Sequence, residues 1–140
     1  MYILKTSASF DSAHFLAGYT GKCANLHGHR WKIEVEAGQM HLQTSGEKRG
    51  MVIDFADLKK AVKGLADAYD HAFIYEIGSL KETTVQALHD EGFHLIPVPF
   101  RPTAENFAKE FYDALKELGL PVIRVKVYET PDNCAIYEVA

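Results

Sequence analysis

The chain has 140 residues, 47% hydrophobic and 24% charged, with a formal net charge of -4 and a pI near 5.9. Those values exclude a disordered chain and leave no electrostatic footprint for nucleic acid, and a chain of this length buries a core as one domain, 1–140, without a disulfide or metal staple. Two cysteines, Cys23 and Cys134, are too few for a disulfide framework, no apolar run approaches the roughly 20 residues of a membrane span, and the first residues carry no signal-peptide pattern. The expectation is a cytoplasmic protein with a small-molecule partner and no membrane.

Residues 2–10 alternate, Tyr2, Leu4, Ala8 and Phe10 against Lys5, Ser7 and Ser9, and the apolar parity continues to His14. Residues 29–37 alternate more cleanly, Trp31, Ile33, Val35 and Ala37 against Arg30, Lys32, Glu34 and Glu36, with His27 and His29 on the apolar parity. A short strand is expected at Met51 to Ile53, then a helix capped by Asp54 whose apolar positions Phe55, Leu58, Val62, Leu65, Ala66 and Tyr69 lead to Asp70-His71. Ser79 to Glu82 reads as a capping box opening a shorter helix that stops at Gly92, and the prolines at 97 and 99 mark the following apolar stretch as an edge or irregular segment. Thr103 can cap a second long helix with Gly119 and Pro121 as stops. Ile123, Val125 and Val127 then line one face of a strand, and a last strand runs from about Cys134 to Val139. This order predicts an α+β domain with helices on one face of an antiparallel sheet.

His27 and His29 are two apart at a strand entrance, so both imidazoles project to one side, and His14 can supply a third ligand. Three neutral imidazoles suit zinc and leave a fourth position open for chemistry. An isolated H-x-H pair is more often incidental, but the nearby cysteine and the third histidine on the matching parity reverse that preference. Cys23 has three open roles: fourth zinc ligand, catalytic thiolate, or small buried hydrophobe. Cys134, inside a strand pattern, reads as core filling. Asp70 could orient His71 for proton transfer, although a histidine ending a helix also complements its dipole. Glu129 continues the parity of Ile123, Val125 and Val127, which puts a carboxylate at the end of an inward row where it needs a partner. That partner is either a two-donor edge such as a pterin's amino group and ring N–H, or a Lys or Arg, unless the strand simply emerges into solvent before Thr130-Pro131.

With these residues in place, the chain resembles the 6-pyruvoyl-tetrahydropterin synthase family, closest to its bacterial 6-carboxy-tetrahydropterin synthase branch. The motifs occur in family order over essentially the whole chain: Ser12-Ala13-His14, Cys23 to His29, Gly50 to Phe55, Asp70-His71, Pro102 to Asn106, and Tyr128-Glu129-Thr130. The resemblance implies the tunnelling fold, zinc on His14, His27 and His29, Cys23 as catalytic base, Asp70 and His71 completing its proton relay, and Glu129 anchoring a pterin. Thr103 and Glu105 would help hold the heterocycle. The three-residue gap between Cys23 and His27 is similar to the carboxy branch. The departures are Tyr69 before Asp70-His71, Ile74-Tyr75 in place of a Leu-Asn pair, and a long segment from Glu76 to Phe100.

The implied reaction is lyase chemistry: 7,8-dihydroneopterin triphosphate to 6-carboxy-5,6,7,8-tetrahydropterin with release of acetaldehyde and triphosphate, in queuosine biosynthesis. The implied assembly is a homo-oligomer, a hexamer of two trimers, with sites between subunits. Two alternatives stand beside it: a 6-pyruvoyl-tetrahydropterin synthase or related pterin side-chain lyase, and a non-catalytic zinc- or pterin-binding module in which Cys23 closes the metal shell.

Overall fold

The computed structural model describes residues 1–139. Six strands and three α-helices form one sheet with helices against it: β1 (Tyr2–His14), β2 (His27–Gln39), α1 (Phe55–Tyr69), β3 (Ala72–Glu76), α2 (Glu82–Asp90), β4 (Leu95–Val98), α3 (Ala104–Glu117), β5 (Val122–Thr130) and β6 (Asn133–Glu138). The sheet order is β4-β3-β1-β2-β5-β6.

β1 and β2 form the spine, an antiparallel pair in register from Tyr2 opposite Gln39 to His14 opposite His27. The expected alternation is present in both: Phe10, Ser12 and His14 are buried on β1, and Trp31, Ile33, Val35 and Ala37 are fully buried on β2. α1 and α3 lie over this face, contributing Leu58, Val62 and Ala66, and Phe107, Ala108, Phe111 and Leu115, to a single core. An aromatic column runs through it. The Phe10 ring stacks on Trp31 at 6.1 Å between centroids, and Phe107 meets Trp31 edge-on at 5.0 Å.

Asp54 and Thr103 cap the long helices as expected, accepting from the N–H groups of Ala56 and Asn106. α3 ends in a Schellman motif. Gly119, at φ 80°, donates to Lys116 O while Leu120 donates to Leu115 O, so the left-handed residue is the glycine that read as a stop.

The structure corrects several expectations. The sheet is mixed, because β3 runs parallel to both β1 and β4. β3 follows the α1 terminus too closely, and is too short and apolar, to show a period of its own. Met51 to Ile53 is no strand: Gly50 N–H donates to Gln43 O and Gln43 N–H to Met51 O, a local clasp that feeds directly into the α1 cap. Ser79 does not cap α2. Its hydroxyl donates to Glu76 O, Lys81 takes the cap position with no side-chain bond, and the helix begins at Glu82. β4 lies at the sheet edge with Pro97 in it, as the prolines suggested. A register shift opposite Glu36/Ala37 turns Val122 inward, 2% exposed, in place of Ile123. Cys134 is exposed on the edge strand β6 and fills no core.

Candidate active site

The register of β1 against β2 brings the three histidines together. His14 faces His27 directly and Ser12 faces His29, so the three rings stand on one face of the pair with centroids 4.6, 5.2 and 4.9 Å apart. Trp31, the next residue inward on β2, is fully buried and meets His14 and His29 edge-on at 4.9 and 5.4 Å. The aromatic core is thus the floor of the site.

Two carbonyls fix ring orientation. His14 Nδ1 lies 2.7 Å from Pro102 O and His27 Nδ1 lies 2.6 Å from Asn25 O. A carbonyl only accepts, so Nδ1 carries the proton in both rings and, in the neutral ring, Nε2 presents a bare lone pair. Nε2 of His14, His27 and His29 is buried in each case and has no hydrogen-bond partner. Three buried ring nitrogens left without partners at one point are costly unless something electrophilic sits among them. The donor set passes that fit test for a divalent metal, with the carbonyl contacts in the supporting position that metal-binding histidines usually have.

Burial pushes the His14 imidazole down to about 4, the Pro102 hydrogen bond opposing and the neighbouring His27 and His29 reinforcing the drop. His29 is lowered for the same first reason, with Glu129 partly offsetting it. These rings resist protons but remain open to a metal.

Glu129 joins the cluster. Its Oε1 stands 3.4 Å from His14 Nε2 and 3.3 Å from His29 Nε2, and the four ligand atoms all lie within 4.8 Å of one another. The parity argument holds because Val125 and Val127 are buried on the same side, and the ladder between β5 and β6 shifts register between Tyr128 and Thr130, where Glu129 sits. Its only ion-pair partners among the described residues are the two histidines.

Cys23 is a free, half-buried thiol in a 3-10 turn, Lys22–Ala24, within the connection between β1 and β2. Asn25 N–H closes that turn on Lys22 O while Asn25 O holds His27, so one short turn positions both the thiol and a metal ligand. Cys23 is not among the four clustered groups. Thr103 sits at the α3 cap, directly after the Pro102 carbonyl that holds His14, and Glu105 is exposed in the first turn.

Asp70 and His71 are brought together with each other but not with the histidine cluster. Asp70 is the C-cap of α1, and its Oδ2 lies 2.9 Å from His71 Nδ1. The backbone N–H of Asp11 donates to Asp70 Oδ1 at 2.8 Å, holding that carboxyl below its usual range, with His71 adding to the effect. Asp70 in turn raises His71 above the ordinary histidine value. His71 occupies the left-handed region at φ 52°, and its side chain is 80% exposed. The charges acting on it beyond Asp70, those of Asp11 and Arg30, lie on the sheet face opposite His14, His27 and His29, since residues alternate along β1 and β2.

Sequence reasoning singled out the three histidines that the structure brings together but missed the carbonyls of Asn25 and Pro102 and the Trp31 floor. Backbone acceptors carry no residue-type signal, and Trp31 was visible only as one more apolar position.

The comparisons agree with this geometry. The sequence profile of the 6-pyruvoyl tetrahydropterin synthase family matches residues 3–140. A 6-carboxy-5,6,7,8-tetrahydropterin synthase of Haemophilus influenzae is 42% identical over 99% of both chains, and one of Aquifex aeolicus is 37% identical over 84% of this chain and 76% of that protein. In fold, an uncharacterized protein of Wolinella succinogenes superposes with a TM-score of 0.79 at 22% identity, covering 99% of this chain and 98% of that one. The 6-pyruvoyl tetrahydropterin synthase of Caenorhabditis elegans gives 0.67 at 24% identity, covering 99% and 96%. The α+β architecture with its curled sheet is therefore the tunnelling fold, and the chain belongs to the 6-pyruvoyl tetrahydropterin synthase family of lyases.

Proposed function

We propose that the chain converts 7,8-dihydroneopterin triphosphate to 6-carboxy-5,6,7,8-tetrahydropterin, releasing acetaldehyde and triphosphate, as a step toward queuosine. The observation that carries the chemistry is the set of three buried, unpartnered Nε2 atoms, two of them, in His14 and His27, with tautomers set by Pro102 and Asn25. The names of the 42% and 37% identical relatives favour the carboxy product over the pyruvoyl one.

In this reading His14, His27 and His29 hold zinc, which when bound supplies a Lewis acid for the hydroxyls of the substrate side chain. Cys23 acts as the base that takes a carbon-bound proton. Glu129 accepts the two parallel N–H donors of the pterin edge, and Thr103 and Glu105 line the same end of the site. Asp70 keeps the His71 imidazole oriented and charged so that it can give or receive the relayed proton. His71 stands at the edge of β1, outside the histidine cluster of its own chain, which supports a reading in which it serves the site of a neighbouring copy in a homo-oligomer, built as two trimers as the family resemblance implies.

Mass spectrometry of products from 7,8-dihydroneopterin triphosphate, with zinc-loaded and chelated protein, tests the reaction. Acetaldehyde with 6-carboxy-tetrahydropterin, lost on chelation, is the expected result, and a pyruvoyl product would overturn it. Cys23→Ala should retain zinc by elemental analysis while turnover falls at least about a hundredfold, as for loss of a general base. Loss of zinc instead would make Cys23 a structural ligand and the protein a binding module.

A further inference from the structure

Asp11 and Arg30 belong to neither the metal cluster nor the core, yet they make the most ordered ion pair near the Asp70-His71 loop. Arg30 Nε and an Nη donate to the two carboxylate oxygens of Asp11, both at 2.9 Å, the forked geometry that fixes direction as well as charge. They face each other across β1 and β2. The backbone of Asp11 carries the loop. Its N–H donates to Asp70 Oδ1 at 2.8 Å, and its carbonyl accepts from the His71 N–H at 2.6 Å. His71 is the only described non-glycine residue with positive φ, a conformation few such residues adopt without outside support. Asp11 grips both halves of the dyad.

We propose that Asp11 and Arg30 are positioning residues for the reaction: the backbone of Asp11 clamps the Asp70 carboxylate and the His71 N–H, and Arg30, by neutralising the Asp11 side chain, sets the net charge that the His71 imidazole faces. This rests on the reading that His71 relays a proton. The groups acting on His71 are Asp70 beside it, Asp11 on β1 and Arg30 on β2; the two carboxylates favour the imidazolium and the guanidinium opposes it. Without Arg30, two uncompensated carboxylates would hold the proton on His71 and slow its release. Without the Asp11 carboxylate, Arg30 would push the proton off.

The two single changes therefore act in opposite directions. With histidine labelled at Cε1 in the zinc-loaded full chain, and the His71 signal assigned by its loss in His71→Asn, Arg30→Met should move the His71 titration midpoint up by about half a pH unit. Asp11→Asn, which keeps both backbone bonds, should move it down by a similar amount. Arg30→Lys, keeping the charge, should stay near the wild-type midpoint and provides the control if Arg30→Met folds poorly. The limb of the pH–rate profile belonging to His71 should move with each midpoint. Midpoints that stay put, or move in the same direction for both changes, overturn the proposal. Midpoints that move while the rate profile stays still would keep Asp11 and Arg30 as what sets the charge on His71 but overturn the place of His71 in the reaction.

Discussion

At the scale of single residues, burial keeps two bases of the candidate metal site, His14 and His29, neutral. His14 is 1% exposed and drops from about 6.5 in the unfolded chain to about 4 in the folded one, and His29 is also lowered. Between those two values the unfolded chain binds the proton and the folded chain does not, so stability rises with pH across that window. Metal-free protein at fixed concentration should lose stability as pH falls from about 6.5 toward 4, with a slope approaching 1.4 kcal/mol per pH unit from His14 alone, about one proton's worth. Urea unfolding midpoints at pH 7.5, 5.5 and 4.5 measure this, and His14→Gln, which has no such titration, should flatten the dependence. Holding metal should deepen it, because protons and metal compete for the same Nε2 atoms. The cluster itself was legible in the sequence through parity: His14, His27, His29 and Glu129 all fall on inward-facing rows. What was not legible was the exposed side of the chemistry. Asp11 and Arg30 looked like ordinary outward charges, and only the strand pairing shows that Asp11 is also the backbone partner of Asp70 and His71.

At the scale of elements, the N-terminal turn of α3 and the cap before it support the site. Its first turn begins at Thr103, whose hydroxyl accepts from Asn106 N–H, while Asn106 Nδ2 donates to Arg101 O and Pro102 between them holds His14. Thr103→Ala should cost about 1 kcal/mol of stability, as loss of an N-cap does. By loosening the Pro102 carbonyl it should also weaken metal binding by up to about tenfold, read by chelator competition, with Thr103→Ser restoring both. Further along, Phe107 is fully buried against Trp31, Phe100, Tyr69 and Phe111. Phe107→Ala should destabilise by about 3 to 5 kcal/mol and leave Trp31, the floor beneath His14 and His29, unsupported; thermal melts and metal content measure the two effects separately. The long helices were legible because cap and period agreed in both, and in α3 the stop agreed as well. The failures lie where local signals had competing uses. Ser79 offered a cap but bonds Glu76 O, and Met51 to Ile53 looked extended but closes on Gln43. The parallel pairing of β3 is a long-range choice that a five-residue apolar run cannot announce.

At the scale of the whole molecule, one chain holds all the proposed chemistry but on two sides of its sheet. The histidine cluster and Glu129 stand on the helix-covered face, whereas His71 is exposed and is acted on by Asp11 and Arg30 of the other face. The surface also argues for assembly. β1 pairs with β3 only at Ser12 and Ala13, so its outer edge from Tyr2 to Phe10 has no strand partner among the described residues. An apolar cavity of about 380 Å³ lies beside that edge, lined by residues including Tyr2, Leu4, Met51 and Phe55. Unpaired edges of this kind are rarely left bare. If neighbouring copies complete each site, Cys23→Ala and His71→Asn should each be inactive alone and yet complement one another. After unfolding and refolding as a 1:1 mixture, a site is intact only when its thiol comes from a His71→Asn chain and its imidazole from a Cys23→Ala chain. With random assembly of a symmetric oligomer that is about a quarter of the sites. Activity near that fraction of wild type, with zinc content unchanged, is the expected result. No recovery above the separate variants, in a mixture shown by ultracentrifugation to co-assemble, would mean that Cys23 and His71 act within one chain, and the separation of the two faces would then have to close by movement of the loop that carries Cys23.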